Sequence, residues 1–396
     1  MKNVWMALLS VVIVVAMLGT SPAVASSPIK IGVLVPLTGI VAQGGLEIKN
    51  GIEMAAAEKG TILGRPIELV VEDTQIKPDV AVTKAEKLVY RDNVVALIGV
   101  FSSGVGLALA KNIDRLKVPF LTTHVMTTEL YGLHKWVFRS GQLANDQTAV
   151  GNVKGILERP DLKDRTYYVL VHDYAWGHDA GQRFIELAKQ NGIKIHDDKF
   201  DRAPTATKDW SSYISKIKAS GADGIYIAFI TNVIPVFAKQ AYDFGLHKTA
   251  KIVSAAAPGP TELEEGGEAC FGIFGASNWS WDVDTPASKA WADKFWETYK
   301  IVPSTAAAHS YVGAMNLFKG IEKAGSTDVD KIADALRGIS FDGPYGTVRI
   351  SATDNCMRND AVLTETMAAP PNPYGAKVNM KVLHTFKAEE LGPPEN

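Results

Sequence analysis

From residue 29 onward, short runs of β-branched and apolar residues alternate with longer stretches in which apolar positions recur every three or four residues. The runs at 29–36, 67–72, 94–98 and 118–122 predict strands, and the stretches 46–58, 78–90 and 105–116 predict helices between them. In the first helix Ile48, Ile52, Ala55 and Ala56 share one face, with Glu47, Lys49, Glu53 and Lys59 spread over the rest. Such alternation implies right-handed βαβ units and a parallel sheet covered on both sides. The pattern then restarts, with strands expected at 167–172, 193–199, 224–229 and 251–254 and helices at 177–190, 209–219 and 233–244. Long helices at 288–299 and 306–323 and a shorter one at 329–336 follow. Beyond Tyr345 the chain is β-rich and then loop-like, with Pro370, Pro371 and Pro373 marking an irregular turn. An α/β protein of two lobes is the expectation.

The stretch from Val94 to Ala110, VVALIGVFSSGVGLALA, carries the first hint of chemistry. Its apolar run reads as a buried parallel strand that breaks at Gly99, and Ser102-Ser103-Gly104 then opens a helix. Two hydroxyls beside the free N–H groups and positive dipole end of a helix suit a carboxylate. The alternative is that Ser102 merely caps the helix. Ligands of open α/β sheets sit at this carboxyl end of the strands.

Composition narrows the classes. With 396 residues, 46% of them hydrophobic, the chain can bury two substantial cores. Its 41 basic and 43 acidic residues leave a net charge of −2, so neither nucleic acid nor an acidic membrane surface is an expected partner. A short basic start, an uncharged run from Val4 to Leu18 and the sequence Ala23-Val24-Ala25 predict a secretory signal peptide over residues 1–25. The two cysteines, Cys270 and Cys356, would then meet an oxidising compartment, where they pair or stay as buried thiols. No CxxC or Cys/His metal pattern, Walker motif, complete GxGxxG or GxSxG elbow occurs, so no metal, cofactor or catalytic set is expected.

The ordered series IKIGVLVPLTG from residue 29, LGRPIELVVEDTQIKPDVAV from 63, KLVYRDNVVALIGVFSS from 87, VPFLTTH from 118, VHDYAWGHDAG from 171 and FDGPYGTVRI from 341 resembles the periplasmic leucine/isoleucine/valine-binding protein family. The likeness spans essentially the whole mature chain. It implies a type I periplasmic binding protein, in which two Rossmann-like lobes joined by a three-strand hinge enclose a small solute for an ABC importer. Residues 26–142 and 279–341 would form lobe one, and 143–278 and 342–396 lobe two. Cys270 and Cys356 would then share lobe two, where a disulfide is expected. The implied protein is a periplasmic monomer whose partners are a carboxylate-bearing ligand and a permease in the inner membrane. A receptor module feeding a chemoreceptor or sensor kinase would have the same sequence.

The resemblance also assigns a pocket. Ser102 and Ser103, with backbone groups beside His124, would take the ligand carboxylate; His124 would donate as a cation or as a neutral ring, or serve only as a wall. Met126 stands in place of a ligand-binding threonine, and Trp176 in place of the aromatic wall tyrosine. The second-lobe tyrosine position falls at Ile230 beside Phe229, and the amine-binding glutamate falls near Ala257, where no acid stands. Glu262 is a nearby acid that would compensate. The exchanges predict a larger, more apolar pocket suited to an amino acid or an aromatic acid. Trp279 and Trp281 are expected to pack near the second crossover.

Overall fold

The computed structural model describes residues 27–392, so the expected signal peptide lies outside the described residues. Two sheets organise the chain. The first has the spatial order Thr61–Ile62, Arg65–Asp73, Ile29–Val35, Ala96–Phe101, Phe120–His124, Val137–Arg139, parallel apart from the short Thr61–Ile62 edge. Ile29, Ile31, Val33, Leu34 and Val35 are all buried, because helices cover both faces of this central strand. The second sheet runs Val378–Phe386, Ala361–Ala368, Phe274–Ser277, Lys251–Ser254, Gly224–Ala228, Thr166–His172, Lys194–Ile195. Its first two strands form an antiparallel hairpin closing one edge, and the remaining five are parallel. The residues after Tyr345 thus supply two long strands, and the proline cluster is the turn between them.

Most expected elements form within a few residues of their predicted bounds. The helix Asn145–Glu158 does not follow from the pattern, since Asn145, Gln147, Thr148 and Asn152 occupy its buried side. Asn152 explains one such choice: its amide donates to the Ser254 carbonyl and accepts from the Ala276 N–H, both in the second sheet.

In the first lobe the helix Ala42–Lys59 packs against Thr305–Ala324 so closely that a Cβ on Gly51 would stand 2.2 Å from the Ala307 carbonyl oxygen. Alanine is worth up to about 1 kcal/mol over glycine in an open helix. Here the contact reverses the sign, and Gly51→Ala should destabilise by about 1–3 kcal/mol. A lowered urea midpoint is the expected result; a raised one would mean that the two helices have room to part.

The two lobes are joined by three stretches that lie side by side. Asn278 accepts from the Leu143 N–H at 2.9 Å, donates to the Gly141 carbonyl at 3.2 Å and reaches Asn359 at 3.5 Å. The small sheet Ser340–Gly343, Gly346–Ile350, Met357–Arg358 precedes the last passage. Val348, Ile350 and Met357 join the first core, whereas Ala361 and Leu363 join the second.

The expected disulfide is absent. Both thiols are free and buried: Cys270 belongs to the core around Phe229 and Phe237, and Cys356 pairs across a bridge with Arg139 beside the first lobe. The pairing failed because residues 346–357 pack with the opposite lobe from Cys270. Trp279 and Trp281 do pack as expected. The Trp279 ring stands edge-on to Trp291 and donates to Ser288, while Trp281 meets Tyr374.

Candidate functional site

Two adjoining cavities lie between the carboxyl ends of the two sheets, with volumes of about 340 and 500 Å³ counted out to their mouths. Both are lined by Phe101, His124, Met126, Gln142, Thr231 and Ala256. The smaller adds Ser102, Ser103, Tyr174, Trp176, Phe229 and Ile230, and the larger adds Glu47, Ala257 and Glu262 among others. All eight residues singled out from the sequence therefore face one interlobe space.

The strand Ala96–Phe101 delivers the serines. Val100 has φ 62°, a costly conformation for a β-branched residue, and it lies immediately before Phe101 and the helix Ser103–Lys111. Ser102 occupies the N-cap position, but its side chain makes no capping hydrogen bond. The capping role weighed from the sequence is therefore not filled by this hydroxyl, which lines the cavity. Ser103, 2% exposed, opens the helix.

His124 ends the next strand and stacks on Phe101, with ring centroids 4.3 Å apart and planes 14° from parallel. Burial pushes its pKa down to about 3, so the ring is neutral near pH 7 in the empty cleft. Its Nδ1 is buried without a partner. His309, its ring tilted 38° to His124 with centroids 5.1 Å apart, is held neutral by burial first and by His124 second.

The far wall comes from the second lobe. Trp176 begins the helix Ala175–Gln190 and is 5% exposed. Its indole N–H points at the Met126 sulfur 3.1 Å away, so the ring covers the cavity but its donor is already engaged. Tyr174 stands beside it, with centroids 5.9 Å apart. Phe229 is fully buried in a ring cluster with His172 at 4.9 Å and Trp210 at 4.6 Å, so it backs the cavity as core. Ile230 donates its N–H to His172 Nδ1 at 3.0 Å, and burial lowers that histidine to about 4. Across the cleft, Asn232 donates to the Ile40 carbonyl at 2.7 Å and Asp179 accepts from the Thr128 N–H at 3.0 Å.

The pocket expected to be larger and more apolar carries two acids at one end: Glu262, the nearby acid named from the sequence, and Glu47. Glu47, assigned to the polar face of its helix, is 2% exposed and lines the larger cavity. It lies one turn from Gly51 and two from Met54, both buried, and that spacing was the available signal. Glu262 enters from the helix Pro260–Gly266 and accepts from Thr231 at 3.4 Å. Burial, then the facing Glu262, raises the Glu47 pKa to about 8; burial likewise raises Glu262.

A two-lobed α/β chain with a solute-sized cavity between its lobes and laced connections beneath it defines a solute-binding protein. The periplasmic binding protein family model matches residues 28–369. The leucine-, isoleucine-, valine-, threonine-, and alanine-binding protein of Pseudomonas aeruginosa is 30% identical over 336 residues, 83% of this chain and 87% of that protein. The leucine-binding protein of Thermotoga maritima superposes with a TM-score of 0.80 at 25% identity, covering 92% of this chain and 100% of that one. An ABC-transporter solute-binding protein of Rhodopseudomonas palustris in complex with p-hydroxybenzoic acid gives 0.83, also at 25% identity, covering 91% and 98%.

The chain belongs to the leucine/isoleucine/valine-binding family of periplasmic binding proteins. Its function is to bind a solute for an ABC transporter, and the family consists of such transport components rather than enzymes.

Proposed function

We propose that this protein is exported by cleavage of residues 1–25, captures a carboxylate-bearing solute and presents it as a monomer to a permease in the inner membrane. Residues 26–142 and 279–358 act as one lobe and residues 143–278 and 359–396 as the other, because Val348, Ile350 and Met357 pack in the first core and move the third crossover from the expected 341 to beyond Arg358. The carboxylate docks on Ser102, Ser103 and the helix N-terminus, while neutral His124 and Met126 form the floor. Trp176 and Ile230 close over the solute, backed by Phe229, and Ala257 leaves room at the far end. A solute touching both lobes stabilises the closed form, which is the state a permease can distinguish.

The observation that carries this reading is the Ser102 hydroxyl at a helix N-terminus, making no cap and facing the interlobe cavity. The chemistry of the relatives' solutes agrees, since leucine and p-hydroxybenzoic acid are both carboxylates. A hydrogen bond to a charged group is worth about 1.5–3 kcal/mol, so Ser102→Ala should weaken a carboxylate solute by about 10- to 100-fold. Calorimetric titration checks this, with the solute found by a thermal-shift panel of amino acids, aliphatic acids and benzoates. Unchanged affinity in the variant would remove Ser102 from the site.

A further inference from the structure

Glu47 and Glu262 approach the larger cavity from opposite lobes. Glu47 Oε1 accepts from Gln43 at 3.0 Å, and Ser304 also donates to this carboxyl. Glu262 Oε1 accepts from Thr231, while its Oε2 is buried with no partner. Each acid raises the cost of charging the other, and Glu265 adds to the burden on Glu262. No lysine or arginine is among the residues lining either cavity.

An independent observation points the same way. Gln142 is 8% exposed, lines both cavities and buries its side-chain oxygen without a donor. The larger cavity thus presents two carboxyls and a carbonyl, with Glu262 Oε2 and the Gln142 side-chain oxygen short of donors. Left so, these groups are costly, and a ligand carrying several N–H donors and a positive charge relieves them.

The placement of the two ends says more. Ser102 and Ser103 line only the smaller cavity, whereas Glu47 and Glu262 line only the larger. Phe101, Met126 and Ala256 lie among the residues common to both. An α-amino acid carries its ammonium and carboxylate on one carbon, whereas acids at one end and serines at the other, with Phe101, Met126 and Ala256 shared between them, suit two charges held apart by an apolar spacer.

Building on the carboxylate-binding reading of Ser102 and Ser103, we infer that the solute is a zwitterion of the ω-amino acid class. Its primary ammonium lies between Glu47 and Glu262 with the Gln142 carbonyl, and an apolar methylene spacer runs past Phe101 and Met126 to the serines. The ammonium replaces the proton that the acid pair holds in the empty protein. Binding near pH 7 therefore releases a proton, with neutral His124 the other titratable group lining the cavity.

The test is calorimetric titration of the whole mature protein with γ-aminobutyrate, δ-aminovalerate and ε-aminocaproate, against valerate, pentylamine and the α-isomer norvaline. At least one ω-amino acid should bind about tenfold or more tighter than every control. Its binding heat should vary with buffer ionisation enthalpy in the sense of proton release. Glu47→Gln and Glu262→Gln should remove that preference for the ω-amino acid over valerate, while Ser102→Ala should weaken both solutes.

Norvaline or leucine binding better than every ω-amino acid would overturn the inference, as would a preference that survives both glutamine substitutions. The wild-type probe series decides the matter even if a variant fails to fold. Ser102-dependent binding of carboxylates with no dependence on the glutamates sinks the zwitterion alone. Binding indifferent to Ser102 sinks the carboxylate reading beneath it as well.

Discussion

Replacing Arg139 by methionine should cost about 3–5 kcal/mol of folding stability, because it removes a buried cation on which several acceptors converge. Arg139 is 1% exposed and ends the edge strand of the first sheet, just before the chain first crosses between lobes. Its guanidinium donates to the Gln142 carbonyl at 2.5 Å and to Gln147 Oε1 at 3.2 Å, and lies 5.2 Å from the centre of the Tyr131 ring. Tyr131 in turn donates to Asp146 at 2.6 Å. The Arg139 N–H bonds the Asn355 carbonyl, which ties in the third connection.

Burial alone would lower the Arg139 pKa, but Tyr131, Cys356 and Asp146 outweigh it and the group is held above its ordinary value. It stays charged in the interior, so its removal takes this donor from the Gln142 carbonyl and Gln147 Oε1 and leaves the Asp146 charge without its nearby cation. Lysine should rescue little, since one ammonium cannot reproduce a planar fork directed at two separate acceptors. Urea unfolding of Arg139→Met and Arg139→Lys reads both outcomes. A methionine variant as stable as the parent would show that this network shapes the hinge without supporting the fold. Gln142 also lines the cavity, so the same substitution should weaken solute binding.

Which parts of this architecture were legible in the sequence follows from the range of each interaction. The strand at 29–35 and the helix at 78–90 are legible because an apolar period reports burial wherever the partner comes from. The helix Asn145–Glu158 is not, since its buried Asn152 is satisfied by Ser254 and Ala276, more than a hundred positions away. Ser102 stood out because a strand, a glycine and a helix start lie next to one another in the chain. Glu262 was named only as a nearby acid and Glu47 was missed, because their joint meaning depends on two helices from different lobes converging on one cavity. The cysteines misled for the same reason: sequence spacing does not reveal that the chain returns to the first core before its last crossing.

Without solute, the stability of this protein should pass through a maximum near pH 6.5 and fall by about 2 kcal/mol between pH 6.5 and 8. Glu47 has a folded pKa of about 8 against an ordinary 4.5. Between those values the folded chain holds a proton that the unfolded chain has released, so stability falls as pH rises through the window. Each pH unit inside it is worth up to about 1.4 kcal/mol. Glu262 is shifted the same way.

His124, His172 and His309 act in the opposite sense. Their folded pKa values are depressed by burial, to about 3 for His124 and about 4 for His172. The unfolded chain binds the extra protons below 6.5, so these three raise stability as pH climbs toward that value. Under pH 6.5 the two sets oppose each other and the histidines win by number. Above it the histidines are neutral in both states, and the acid pair alone sets the slope.

Glu47→Gln should therefore flatten the alkaline limb, steepen the acid limb between pH 4.5 and 6.5 where Glu47 opposed the histidines, and make the variant more stable than its parent at pH 8. Urea titrations from pH 5 to 9 on both chains measure the difference directly. Parallel curves would mean that Glu47 titrates alike folded and unfolded, and that the cavity already solvates its charge. A bound ammonium reverses the linkage, because it favours the ionised pair. Saturating ω-amino acid should accordingly raise stability more at pH 8 than at pH 6.5, which ties the titration of the empty cleft to the charge of the solute that fills it.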